Sequence, residues 1–202
     1  MLVYLAEYLS QYYSPLNVFQ YLTFRAILGV LTALGIALFV GPVMIRKLTV
    51  HQIGQPIRDD GPESHQIKAG TPTMGGTLII VAVAIATLLW SDLTNHYVWV
   101  VLLTTLGFAG IGFFDDFLKL KYGNSKGLSA KAKYSLQTLF GLAAGAALYV
   151  LAESPADTSL YFPVFKDLSL SLGLVYILWT YLVVVGTSNA VNLTDGLDGL
   201  AI

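Results

Sequence analysis

Five apolar runs without a charged side chain, at 26–45, 71–90, 97–114, 134–152 and 172–190, limit what this chain can fold into. Each is close to the roughly twenty residues that cross a bilayer core as a helix. In hydrocarbon a lone segment satisfies its backbone polar groups only by being helical. The predicted fold is therefore all-α: a polytopic membrane protein with five spanning helices, residues 1–202 forming one membrane domain. Composition agrees, since hydrophobic residues make up 55% and charged ones 11%, against about 25% charged in soluble proteins. The absence of cysteine excludes disulfides and thiolate metal sites. Residues 1–13 lack a basic n-region and a small-residue cleavage site. With Tyr4, Tyr8, Tyr12 and Tyr13 they read as a mature, interfacial helix.

Charge placement sets an orientation. Arg46, Lys47, Arg58 and Lys68 follow the first run, and Lys119, Lys121, Lys126, Lys131 and Lys133 follow the third; together they are nine of the eleven basic residues. The positive-inside rule puts both loops in the cytoplasm and the N-terminus, the 91–96 turn and the 153–170 segment on the outer side. On this topology the unusual polar clusters share one side. The outer side keeps scattered charges such as Glu7, Asp92, Glu153 and Asp157, with Arg25 snorkelling from the first span.

Three clusters carry the chemistry. Asp115 and Asp116 close the third run, and at a helix C-terminus the dipole disfavours acids. A bound cation, the neighbouring lysines or a reaction at the membrane surface would each account for them, as would a solvated helix end. Thr71-Pro72-Thr73 reads as a helix start, with Thr71 as N-cap and Pro72 at the first helical position. With Gly75, Gly76 and Lys68 beside it, this start fits either a phosphate site or ordinary capping with close Gly-Gly packing. Asn189, Asn192 and Asp195 recur at helical spacing, Asp198 follows, and Gly196 and Gly199 end the helix. Their amides and carboxylates suit a nucleobase or sugar edge, with a solvated C-terminal turn as the plainer alternative. His51 and His65 lack metal-ligand spacing and read as solvated loop residues, and His96 as interfacial. Adjacent carboxylates that hold Mg²⁺, lysines that neutralise a diphosphate and an Asn/Asp/Gly pocket for a nucleoside fit phosphoryl transfer between a nucleotide and a lipid.

The stretches Gly70-Thr-Pro-Thr-Met-Gly-Gly76, Phe113-Phe-Asp115-Asp116 and Asn189-Ala-Val-Asn192-Leu-Thr-Asp195-Gly-Leu-Asp198-Gly resemble the phospho-N-acetylmuramoyl-pentapeptide transferases. These form a branch of the polyprenyl-phosphate N-acetylhexosamine-1-phosphate transferase superfamily. The resemblance extends along essentially the whole chain, including the loop from Asp59 to His65. It implies a ten-helix enzyme of the bacterial inner membrane, usually a homodimer, that joins UDP-MurNAc-pentapeptide to undecaprenyl phosphate with Mg²⁺, giving lipid I and UMP. No nucleic-acid partner is implied. Carried over, Asp115 would deprotonate or orient the attacking lipid phosphate and Asp116 would assist, the two helping to hold Mg²⁺. Lys68, Thr73, Asn189, Asn192, Asp195, Gly196, Leu197 and Asp198 would bind the nucleotide substrate, and Lys119, Lys131 and Lys133 its phosphates. Direct displacement and a covalent aspartyl intermediate both remain open.

The family's second half supplies a further essential aspartate and a histidine-rich cytoplasmic loop. Residues 1–202 therefore read as an N-terminal fragment that is inactive by itself. The rivals are a sister UDP-GlcNAc transferase, an ion-coupled transporter built on Asp115-Asp116, and a truncated, inactive membrane partner.

Overall fold

The computed structural model describes residues 1–50, 74–123, 127–162 and 164–195, and the charge-free runs lie on helices there. In order they are α1 (Leu2–Ser10), a 3-10 turn at Ser14–Gln20, α2 (Leu22–Val50), α3 (Gly76–Trp90), α4 (His96–Tyr122) and α5 (Ala130–Leu151). A second 3-10 turn at Pro155–Thr158, strands β1 (Ser159–Phe162) and β2 (Phe165–Ser171), and α6 (Val175–Asp195) complete the order. Among the described residues, α2, α4, α5 and α6 are long and apolar enough to cross a membrane, whereas α3 is shorter. Its 15 residues rise only about 22 Å, short of the roughly 30 Å hydrocarbon core. Large apolar side chains face outward, Phe39 at 83% exposure and Val150 at 80%, the pattern expected where the solvent is lipid.

Several boundaries differ from the sequence expectation. The first helix passes through Arg46 and Lys47 to Val50 and carries Pro42 inside it. Among the described residues α3 starts at Gly76, preceded by Met74 at φ of 69°; the helix start read at Thr71-Pro72-Thr73 lies outside the described residues. α4 does not stop at the acids but runs on to Tyr122, so the expected basic loop from 117 is helical over its first part. Gly123, left-handed at φ 60°, ends it by donating its N–H to Leu120 and Lys119 carbonyls, as a glycine C-cap does. The aromatic stretch before the last helix forms an antiparallel hairpin pairing Ser159 with Ser171, Leu160 with Leu170 and Tyr161 with Ser169, with an irregularity after Tyr161. Alternation here is confined to a few residues, too short for a strand period to stand out.

The chain divides into two compact units, Met1–Val98 with Ala109–Ser129, and Trp99–Phe108 with Ala130–Ile202. In the first, α2 and α3 run antiparallel: Leu78 lies 3.4 Å from where a Gly41 Cβ would stand, and Trp90 Nε1 donates to Thr32 Oγ1 at 2.8 Å. Arg46, Lys47 and the start of α3 thus share one end of that pair. At the other end the Tyr4 hydroxyl donates to Asp92 at 2.9 Å. In the second unit, α5 and α6 are also antiparallel. A Cβ on Gly145 would stand 2.7 Å from the Ile177 carbonyl oxygen, and one on Gly141 3.0 Å from Val185 Cγ2. Two glycines four residues apart let the backbones approach where burying apolar surface from lipid gives little driving force.

Candidate active site

Asp115, Asp116 and Lys119 lie on the C-terminal half of α4, in the first unit. One helical turn separates each acid from the lysine, so the three side chains meet. Lys119 Nζ is 2.7 Å from Asp115 Oδ2 and 3.1 Å from Asp116 Oδ1, bridging both carboxylates. Because the helix continues about two turns beyond Asp115, the acids avoid the most negative end of the dipole, which Lys119 and Lys121 occupy in the last turn. The acids differ in surroundings. Asp115 is 14% exposed and accepts the Leu128 N–H on Oδ1 at 2.8 Å, whereas Asp116 is 33% exposed. Phe113 and Phe117 stack on each other one turn apart, next to the acids and exposed.

In the second unit, Lys131 and Lys133 lie in the first turn of α5, the former exposed and the latter half-buried. The antiparallel register puts them at the same end of the α5/α6 pair as Asn189, Asn192 and Asp195. Lysines beside a helix N-terminus are unfavourable unless an anion is near. Asn189 is committed within the protein: its Nδ2 donates to Gln137 Oε1 at 3.0 Å and to the Val185 carbonyl at 2.8 Å. Gln137 is 4% exposed, and it fixes the amide orientation of Asn189 from the neighbouring helix. Asn192, one turn on, is exposed. Tyr134 and Tyr181 hydroxyls hydrogen-bond across the same pair.

Lys68, Thr73, Gly196, Leu197 and Asp198 lie outside the described residues, and Asp195 is the last residue of α6. Gly75 and Gly76 have nothing, among the described residues, within 4 Å of where a Cβ would stand. Sequence reasoning missed Gly127 and Leu128, which close over Asp115, and Gln137. The signals were a second glycine soon after the helix-ending Gly123 and a glutamine inside an apolar run.

Two family descriptions match this chain. Glycosyl transferase family 4 matches residues 98–202, which take in α4 from its third residue on, with the acid pair, α5 and α6. Phospho-N-acetylmuramoyl-pentapeptide-transferase signature 1 matches residues 68–80, the glycine-rich stretch that leads into α3.

Proposed function

Because this chain belongs to glycosyl transferase family 4, among the polyprenyl-phosphate hexosamine-1-phosphate transferases, and carries the phospho-N-acetylmuramoyl-pentapeptide-transferase signature, we propose that it forms lipid I. The reaction is transfer of phospho-MurNAc-pentapeptide from UDP-MurNAc-pentapeptide to undecaprenyl phosphate. An oxygen of the lipid phosphate forms a bond to the sugar-bearing phosphorus, the diphosphate P–O bond breaks, and UMP leaves. The observation that carries this reading is the carboxylate pair joined by Lys119 on an apolar helix long enough to span a bilayer. It supplies acid, base and positive charge in a membrane protein whose 68–80 stretch bears the muramoyl-pentapeptide signature.

Asp115 is the group that orients or deprotonates the attacking phosphate, held from two sides by Leu128 N–H and Lys119. Asp116, the more exposed acid, assists. Among the described residues no group of three or more His, Asp or Glu could hold a metal, but Mg²⁺ usually takes one or two carboxylates and completes its shell with water and substrate phosphates. The pair fits that habit, and the Lys119 ammonium stands where a cation between the acids would stand. When bound there, Mg²⁺ would neutralise charge on the diphosphate. Lys131 and Lys133 are assigned to phosphates. Lys68, Thr73, Asn192, Asp195, Gly196, Leu197 and Asp198 are assigned to the nucleotide, with Asn189 held by Gln137.

The lysines beside these groups, Lys119, Lys121, Lys131 and Lys133, support a cytoplasmic position for them in the bacterial inner membrane, and the working unit is read as a homodimer. Full-length protein in lipid nanodiscs with Mg²⁺ and undecaprenyl phosphate should release UMP from UDP-MurNAc-pentapeptide and ignore UDP-GlcNAc. Preferential turnover of UDP-GlcNAc would move the chain to the sister branch.

A further inference from the structure

We propose that Gly127 is a positioning residue for Asp115, an inference that rests on the catalytic reading of that acid. Three observations converge on it. The Leu128 N–H meets Asp115 Oδ1 at 2.8 Å, while Lys119 holds the other oxygen at 2.7 Å, so the carboxylate is fixed in one direction from two sides. Gly127 has φ of 43°, a left-handed value that strains any residue with a Cβ. A Cβ at 127 would also strike the Asp115 carboxylate, standing 3.0 Å from its Cγ, and would approach Lys119 Cε at 2.9 Å. The absent side chain is therefore what lets the 127–128 peptide close over the acid.

The atoms in the way are the far ends of two side chains. They can swing aside, so adding a methyl at 127 leaves the helix standing and displaces the carboxylate and the ammonium. A displacement near 1 Å at a reacting group can cost about 100-fold in rate. Gly123 supplies the control, because it is also left-handed at φ 60° but has nothing, among the described residues, within 4 Å of its missing Cβ. It shares the backbone strain without the collision.

In full-length protein, Gly127→Ala should lower kcat for UMP release about 100-fold. The KM for UDP-MurNAc-pentapeptide should stay within about threefold and the thermal midpoint should match that of Gly123→Ala. Gly123→Ala should keep wild-type turnover within about threefold. Gly127→Ala turning over like wild type, or Gly123→Ala losing as much, would overturn the proposal. A second measurement is independent of turnover and of how Gly127→Ala folds. Exchange of the Leu128 amide hydrogen, followed by NMR, should quicken at least about tenfold in Asp115→Ala and stay unchanged in Asp116→Ala. Unchanged exchange in Asp115→Ala refutes the contact. If wild-type protein released no UMP, the functional reading would fall, and the exchange result would still decide whether the 127–128 peptide holds Asp115.

Discussion

The acid-bearing half of α4 and the α5/α6 pair are both helical and both polar in places, yet they are held by opposite means. On α4, a lysine bridges two carboxylates at 2.7 and 3.1 Å, and a backbone N–H closes on the more sheltered acid. In α5/α6, backbones meet through Gly141 and Gly145, and the buried Gln137 locks Asn189 in place. Charge organises the first region and close packing the second. Altering the first should change chemistry before stability, and altering the second should do the reverse.

The largest effect belongs to the packed pair. Gly145→Ala pushes a methyl against the backbone of Ile177, which cannot swing aside, and should destabilise the protein by about 2–3 kcal/mol. Chemical unfolding in detergent measures it, and a loss below about 0.5 kcal/mol would erase the contrast. Next comes Lys119→Met, which keeps the stem and removes the ammonium. It should slow UMP release about 10- to 100-fold while the unfolding midpoint barely moves. A variant that unfolds without slowing would mean that the acids and lysine are structural. Gln137→Leu deprives Asn189 of one acceptor and leaves Val185 as the other, so about 1 kcal/mol of stability should go. A change within error would detach Gln137 from the helix pair.

The smallest effect lies at the turn between α3 and α4. Thr94, through its hydroxyl and then its N–H, and after it the Tyr4 hydroxyl hold the Asp92 carboxyl below the usual carboxylate range. A pKa depressed by folding stabilises above the unfolded value and is lost as pH falls through the folded one. The turn should therefore loosen only in acid, seen as faster Thr94 amide exchange. Asp92→Asn should remove that pH dependence, and a variant that keeps it would assign it elsewhere.

The helical spans were legible because lack of charge over bilayer length is a strong physical constraint, and the acid pair because charge stands out against it. Where helices stop was less legible. Asp115 looked terminal because apolarity ended there, but α4 continues through Lys119 and Lys121 to Tyr122, since charged residues propagate a helix well once they leave hydrocarbon. The Gly141-x-x-x-Gly145 contact was written in the sequence as small residues at helical spacing. Its partner, Ile177, could not be read from the sequence, because pairing depends on the return path of the chain. Gly127 was the least legible, because only the fold shows that it lies against a carboxylate twelve residues back.

Asp115→Asn in the full-length protein tests the central claim most directly, because the amide keeps the shape and can still accept from Leu128 while losing the charge. UMP release from UDP-MurNAc-pentapeptide should fall by about a thousandfold or more, with nucleotide affinity within about threefold of wild type. Turnover near the wild-type rate would contradict the assignment of Asp115 as the group that acts on the attacking phosphate.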